Sequence, residues 1–567
     1  MDSETLGAAI AIINKSVKDI ITGDQYVLDR LDGTEATYRA LMRYWFLENG
    51  AADATPTELT ALCDRWYELT RPQWEGGSRF YQPSTSYSSD GTKVGDNAGM
   101  SCAPSSNSVA GADDYAGNPL FVPTDVNVII DADTREPVIT AIDGINNGFK
   151  RYDPTVIVAV MQMTGYVCQE DEETTYTLWY SANQMSRPGC APLSEAVRFS
   201  DNSIRPWVVH AKYANETVGG KLTSFSGAKP TSYNISHNTL HTLAAATGTG
   251  YSGMCYCDVS FLQLMYFIKY AKLSADGTMM QGCVDYNYQL YALVAEAGVK
   301  RILIADGDKS KVKVGSLWII GAYVDGTGRD KAGMYSISGQ AGYKVGAVET
   351  VTVEGTDYTA VYFDCSTAFD TAANGASTAG TVYMSSMGWV TGVNDNILGN
   401  DGNLLGNTAG LCPSTIQGIE YSMGKYECIA DAILNLYKEG DDYYTEPYLV
   451  KNTAKQSTSV TSDYIASGHK LHQPASSGWQ YVYKLGYKNG MFFAEVIGST
   501  SSYGTKDGNY LEANATGTRE ALLFGYVNNG VGNGGLSYLN GNNGLSNATW
   551  AIASRISLNG SRGEWAA

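Results

Sequence analysis

The sequence predicts an α+β fold in which a small helical unit precedes a much longer region of antiparallel β-structure. Apolar residues recur at helical spacing near the N-terminus. β-Branched and aromatic residues concentrate further on, and short strand-like runs separated by glycine-containing turns fill most of the remainder. We therefore divide the 567 residues into a helical oligomerisation or attachment unit (1–72), a Ser/Gly-rich linker (73–122), a β-rich connector (123–200) and a large C-terminal domain (201–567).

Residues 6–21 have the spacing of a coiled-coil seam. The apolar positions follow one another at alternating intervals of four and three residues: Leu6, Ile10, Ile13, Val17 and Ile20. This pattern predicts either a stalk that joins several copies of the chain or a helix that packs within its own chain.

Two further helices are predicted at about 35–49 and 57–70. Thr55 is a suitable N-cap for the second of them, Pro56 suits its first helical position, and Glu58 completes a capping box. The three helices together form the expected N-terminal unit.

The linker and the connector differ in composition. The linker is rich in Ser, Gly, Asp and Pro and has no periodicity, so we expect a long connection ordered by contact with its neighbours. The connector contains three strand-like runs, VNVIIDAD, TVIVAVMQMTGYVC and TTYTLWYSA.

Two helices are expected in the C-terminal domain. One begins at Asp258 and continues to about residue 272, with an apolar core stripe on one face. The other covers residues 283–298. Short strands with glycine-containing turns follow, which favours irregular antiparallel β-structure.

The composition favours a binding protein of low charge. Tyr and Gly are abundant at 40 and 62 residues, while only 17% of residues are charged and the net charge is −19. Nucleic-acid binding needs a basic surface, so we expect no nucleic-acid partner. No apolar run is long enough for a membrane span, and we expect no membrane insertion.

The ten cysteines have no spacing typical of a disulfide framework. We expect free, mostly buried thiols. The N-terminal residues also lack the basic region and cleavage site of a signal peptide, so assembly in a reducing cytoplasm is expected.

No sequence motif predicts catalysis or a bound cofactor. Two histidine pairs have ligand-like spacing without the glutamate of zinc proteases: His237/His241 and His469/His472. We expect structural or surface histidines. Oxygen ligands for a structural calcium ion occur in two turns, but turns stabilised by their own side chains are the expected state: Asp306-Gly307-Asp308 and Asn400-Asp401-Gly402-Asn403.

The stretch Phe524–Arg555 combines many Asn and Gly residues with regularly placed apolar anchors. It contains no charged residue before Arg555. A disordered Asn/Gly tract would lack such anchors, because disorder follows from having too little to bury. The anchors therefore predict a polar, turn-rich surface on a buried frame: Leu536, Tyr538, Leu539, Leu545, Trp550 and Ile552.

The terminal pattern NNG…GLSYLN-x-NN-x-x-SN-x-x-W-x-I-x-SR resembles bacteriophage proteins with a C-type-lectin fold, which include retroelement-diversified variable proteins and tail-fibre tips. Two upstream stretches agree in position, 388–402 and 417–427. In this lectin-like superfamily, which also holds the formylglycine-generating enzymes, the second stretch usually reads RG-x-EN…GN-x-WE; this chain has Gln417 for the Arg and Tyr426 for the Trp. The resemblance covers about residues 200–567 and implies a C-type-lectin-like domain. It implies no formylglycine activity, since no Cys follows Cys428.

The resemblance also implies that the terminal stretch contains frame residues and ligand-binding residues. Leu536, Trp550, Ile552 and Arg555 are expected to form the frame. The residues expected to project between them and bind a ligand are Tyr526, Asn528, Asn529, Val531, Asn533, Tyr538, Asn540, Asn542, Asn543, Asn547, Thr549 and Ala551. In retroelement-diversified relatives Asn-type codons are the mutable ones; a fixed Asn-rich surface is the alternative.

The function that the resemblance implies is a virion adhesin, either a tail fibre or a spike. It would form a homotrimer, contact other tail proteins through its N-terminal region, and bind a glycan or protein on the host cell surface without chemistry. Two alternatives stay open. One is a fibre-borne enzyme that cleaves polysaccharide with paired carboxylates; the other is a surface adhesin encoded by a bacterium or prophage.

Overall fold

A computed structural model describes residues 34–105, 111–230, 235–275, 283, 286–324, 332–386, 390–395, 413–421, 424–526, 528–529 and 534–565. Several expectations lie outside these ranges: the coiled-coil seam at 6–21, the calcium-type turn at 400–403, and the site residues Val531 and Asn533.

The two predicted N-terminal helices are confirmed as α1 (Glu35–Glu48) and α2 (Pro56–Leu69). Thr55 caps α2 with the expected capping box, in which its backbone N–H donates to the Glu58 carboxylate at 2.9 Å. The helices pack through aromatic residues, and the Trp66 indole N–H donates to the Tyr38 hydroxyl at 2.8 Å in the interior.

The first half of the chain then forms two antiparallel sheets, with strand orders β2-β1-β7-β6-β8 and β4-β3-β5-β9. Their strands are β1 (Glu75–Tyr81), β2 (Thr92–Gly95), β3 (Thr124–Ile130), β4 (Pro137–Ile142), β5 (Ile157–Met163), β6 (Tyr166–Asp171), β7 (Thr175–Ser181), β8 (Ala191–Pro192) and β9 (Trp207–Ala211).

The expected linker at 73–122 contains two strands of this β-structure, β1 and β2. β1 pairs along its whole length with β7. The two glycines of β1 lower its strand propensity, so the sequence did not indicate a strand here. They allow β7 to approach closely, since a Cβ on Gly77 would lie 2.8 Å from the Leu178 carbonyl oxygen. β5 also pairs with β9, so strands of one sheet lie on both sides of the expected boundary at 200/201.

Helices α3 (His237–Thr247) and α4 (Tyr256–Tyr270) follow, separated by strand β10 (Ser252–Gly253). Every residue of α4 is buried, so the helix has no solvent face, whereas a single core stripe was expected. Asp258 lies in its first turn rather than at the cap and accepts a hydrogen bond from the Cys255 backbone N–H at 2.9 Å.

The helix expected at 283–298 was a wrong prediction. The described part of that segment contains strand β11 (Gln289–Tyr291). Alternate residues Tyr286, Leu290 and Ala292 are buried in a second hydrophobic core, which is the period of a strand.

This second core belongs to a six-stranded sheet of order β11-β16-β13-β14-β15-β12. In the sequence, the strands of this sheet follow α4 and precede the C-terminal region. Its remaining strands are β12 (Arg301–Ala305), β13 (Leu317–Ala322), β14 (Tyr343–Val353), β15 (Thr356–Asp364) and β16 (Val382–Ser385).

The C-terminal region adds a hairpin, a seven-stranded sheet of order β25-β24-β26-β29-β28-β19-β30 and a sheet in which β22-β21-β20-β27 are joined by β23. The strands are β17 (Ser414–Ile416), β18 (Ile419–Tyr421), β19 (Tyr426–Cys428), β20 (Ala432–Glu439), β21 (Asp442–Leu449), β22 (Ile465–Ala466), β23 (Leu471–His472), β24 (Gly478–Lys488), β25 (Met491–Gly498), β26 (Gly508–Leu511), β27 (Gly517–Arg519), β28 (Leu522–Leu523), β29 (Leu539–Asn540), β30 (Ile552–Ala553) and β31 (Ile556–Ser557).

The structure thus combines few helices with many, mainly antiparallel strands, which is compatible with the expected α+β class. Its main hydrophobic core runs from Tyr38 in α1 to Leu558 near the C-terminus, so the N-terminal helices and the terminal stretch share one interior. Among the residues described above, no helix combines the length and hydrophobicity needed to span a membrane. As expected, several cysteines are buried free thiols: Cys63, Cys168, Cys190, Cys255, Cys257 and Cys428.

Candidate functional site

Arg555 is the centre of the frame that holds the terminal stretch. The residue is 1% exposed, and its guanidinium donates to both carboxylate oxygens of Glu427, each at 2.6 Å. It also donates to the Glu420 backbone carbonyl at 2.7 Å. Burial alone would lower the pKa of Arg555, but the Glu427 carboxylate outweighs it and raises that pKa. The pair therefore ties β19 to the segment that follows β30.

The hairpin β17–β18 supplies the second part of the frame. Its two-residue turn is Gln417-Gly418, and both residues have positive φ, 51° and 71°, as a type I′ turn requires. The Gln417 side chain is fully buried, where its amide donates to the Phe121 carbonyl at 2.7 Å and to Gln162 at 2.6 Å. The hairpin is thereby fixed to the first half of the chain.

Four residues that were expected to project are buried instead: Asn529, Tyr538, Asn540 and Ala551. The Tyr538 hydroxyl lies 3.2 Å from that of Tyr426 and accepts a hydrogen bond from the Asn529 amide at 3.3 Å. Burial raises the pKa of Tyr426 to about 12. The polar residues of this set can be buried because their side chains form hydrogen bonds with one another in the interior.

The outer residues form a chain of side-chain amides. The Asn543 amide donates to Asn540 at 3.1 Å and to Asn542 at 3.0 Å, and Asn547 donates to Asn543 at 2.5 Å. Asn528, which is exposed, accepts a hydrogen bond from Asn287. The amides are therefore partly oriented in advance, which reduces the entropy lost when a ligand binds.

We refer to these outer residues as the amide surface: Tyr526, Asn528, Asn542, Asn543, Asn547 and Thr549. Each is half-buried or exposed. Tyr526 packs between Tyr426, with ring centroids 4.6 Å apart, and the frame residue Trp550, at 5.8 Å. Trp550 is only partly buried, unlike the other frame residues Leu536, Ile552 and Arg555.

Sequence reasoning missed the aromatic residues beside this surface. Trp479 in β24 is 37% exposed, and its ring lies 5.2 Å from that of Tyr510 and 5.5 Å from that of Tyr538. The signal was present as alternation in the sequence GWQYVY, where every second residue is aromatic.

The acidic turn at 306–308 has hydrogen-bond and ion-pair partners within the protein. Within the described ranges, no group of three His, Cys, Asp or Glu side chains is arranged to hold a metal ion. Asp306 accepts hydrogen bonds from Thr350 and Thr359, and Asp308 forms an ion pair with Lys311, so both carboxylates of this calcium-type turn have protein partners.

The histidine pair of α3 lies partly in the interior. The Nε2 atoms of His237 and His241 are 3.4 Å apart. Burial lowers the pKa of His237 to about 3 and that of His241 to about 4, so both imidazoles are neutral at pH 7. His469 is buried as well and its Nε2 lies 3.2 Å from the Met491 carbonyl oxygen. These positions fit structural roles.

The chain matches no protein-family model, and no curated protein is significantly similar to it. The site is therefore interpreted from its own chemistry. An uncharged array of amides and aromatic rings on a charged, buried frame offers hydrogen bonds and ring faces, which suits non-covalent recognition.

Proposed function

We propose that this chain is a bacteriophage virion adhesin, a tail-fibre or spike protein whose C-terminal domain has a C-type-lectin-like fold. It binds a glycan or protein on the host cell surface through the amide surface and catalyses no reaction. Its N-terminal region contacts other tail proteins, and the expected assembly is a homotrimer. Several copies of a weak site then act together, because linked sites raise the effective concentration.

The observation that carries this proposal is the contact between Glu427 and Arg555. These residues belong to the two stretches that resemble the phage proteins, 128 positions apart in the sequence. Their bidentate pairing in the interior, with the amide surface beside them, is the arrangement expected if the terminal stretch is a recognition surface on a fixed frame.

Cell binding of the purified chain tests the recognition step. We expect the labelled protein to bind some members of a panel of bacterial strains, measured by flow cytometry. The double variant Asn543→Ala/Asn547→Ala removes two outer amides, and at about 1 kcal/mol each we expect about a tenfold loss of affinity or more. The matched control is Asn374→Ala, an exposed Asn in the six-stranded sheet region.

Two results would contradict the proposal. One is equal cell binding by the double variant and the wild type, with melting temperatures showing that both are folded. The other is the absence of antibody labelling on virus particles together with labelling of uninfected cells, which would favour a bacterial adhesin. Release of reducing ends from host polysaccharide would show that the chain is an enzyme instead.

A further inference from the structure

A row of aromatic side chains lies on the outer face of β24. Trp479 and Tyr481 occupy alternate positions, so they point to the same side of the sheet. Tyr483 follows at a bulge, and its ring covers Gly498, the residue opposite Tyr481, so it lies on that side as well. Residues two apart along a strand are about 6.7 Å apart. Each of the three is exposed or half-buried, whereas Val482 between them is fully buried.

The rings at one end of this row support one another. Tyr87 stacks on Tyr503 with ring centroids 4.6 Å apart, and Tyr483 lies 4.9 Å from Tyr87. Gly498 makes room for the Tyr483 ring, since a Cβ there would lie 2.2 Å from it. The rings are therefore held in place before any ligand arrives.

At its other end the row reaches the amide surface. Trp479 lies directly opposite Tyr510 in the β24–β26 pair, and Tyr510 is opposite Asn540 in the β26–β29 pair. Residues opposite each other in a sheet share a face. Asn540 in turn accepts a hydrogen bond from Asn543 of the amide surface. The name "aromatic row" below denotes this set: Tyr87, Tyr503, Tyr483, Tyr481, Trp479 and Tyr510.

We propose that the aromatic row and the amide surface together bind an extended, uncharged polysaccharide. This inference rests on the proposed adhesin function and names the chemical class of its receptor. Pyranose rings present C–H groups on their faces, and these are attracted to the negative face of an aromatic ring. Their hydroxyl groups both donate and accept hydrogen bonds, as side-chain amides do.

Shape and charge favour this ligand over the alternatives. Trp479, Tyr481 and Tyr483 follow one another along one strand, each exposed or half-buried, which suits a chain of repeating units. The segment 478–483 contains no charged residue and the chain carries a net charge of −19, so an anionic polysaccharide would be repelled.

The test uses the full chain and polysaccharide extracted from a strain that the protein binds, separated into neutral and acidic fractions. Affinity for each fraction is measured by isothermal titration calorimetry. We expect binding to the neutral fraction, with about a thirtyfold loss for Trp479→Ala, as for a central aromatic contact. Trp479→Phe keeps a ring and should stay within about threefold of the wild type. Tyr152→Ala is the matched control, because Tyr152 is 66% exposed and lies elsewhere.

The same strain separates the two proposals. Periodate, which cleaves vicinal diols in sugars, should abolish cell binding, and protease treatment should leave it intact. If protease abolishes binding and periodate does not, the receptor is a protein: the adhesin function stands and the polysaccharide inference is wrong. Binding to the acidic fraction alone, or full affinity of the Trp479→Ala variant for the neutral one, would also overturn the inference. If no strain and no purified neutral glucan, mannan or galactan is bound, both proposals fail.

Discussion

Replacing Arg555 by Met tests whether the buried ion pair holds the terminal stretch in place. The side chains of Arg555 and Glu427 are 2% and 1% exposed, and their two contacts are both 2.6 Å long. Removing one partner of a buried pair leaves the other charge uncompensated, which costs about 3–5 kcal/mol. The Glu420 carbonyl also loses its donor, which costs about 1 kcal/mol.

We therefore expect Arg555→Met to lower the free energy of unfolding by about 4–6 kcal/mol, measured by urea denaturation with tryptophan fluorescence. A second variant, Arg555→Met/Glu427→Leu, removes both charges and should recover much of this loss. Lys272→Met is the matched control: it breaks a pair with Asp90 in which both side chains are largely exposed, so no measurable change is expected.

Either of two outcomes would contradict the prediction for Arg555. A loss below about 1 kcal/mol for Arg555→Met would mean that the pair does not hold the frame. An equal loss for the single and the double variant would mean that the uncompensated Glu427 charge is not the cause.

Three further predictions concern the same framework. Burial, together with Asp395, raises the pKa of Glu420 from 4.5 to about 8. The folded state therefore binds this proton more tightly, and stability should fall as the pH rises from 4.5 to 8. Glu420→Gln should flatten that part of a curve of Tm against pH, and parallel curves for the variant and the wild type would contradict the prediction. Burial alone would lower the pKa of His210, but Asp258 and Glu195 raise it from 6.5 to about 9. His210→Gln should therefore be most destabilising below pH 6.5, and the Tm difference between variant and wild type should shrink as the pH rises through 9. Gly418 has φ of 71°, so Gly418→Ala should cost about 1 kcal/mol through backbone strain alone, while Gly544→Ala, in open space, should leave the urea midpoint unchanged.

Local signals were enough to predict some elements. The Thr55–Glu58 capping box and Pro56 mark the start of α2 without reference to the rest of the chain, and the structure confirms it. The prediction of a helix at 283–298 was wrong because the apolar residues there are compatible with both the helical and the strand period. Only contact with the second core, which is assembled from strands up to about a hundred residues away, selects the strand.

The orientation of the terminal asparagines could not be predicted for a related reason. An Asn in a turn-rich stretch suits solvent and interior equally well when a partner is present inside. For Asn529 and Asn540 those partners are the hydroxyls of Tyr538 and Tyr426. Tyr426 precedes Asn540 by 114 positions, and nothing in the local pattern of the terminal stretch indicates their contact.

The structure divides the expected ligand-binding residues into two groups that should respond differently to substitution. Asn529 and Asn540 hydrogen-bond to buried tyrosines, so a change at either leaves an interior polar group unsatisfied, at about 1–3 kcal/mol. Asn542, Asn543 and Asn547 bond among side chains at the surface, where water can replace a lost partner. If a retroelement diversifies this surface, sequenced populations should therefore vary at the outer asparagines and stay constant at Asn529 and Asn540. Equal variation in both groups would show that the buried amides do not constrain the frame.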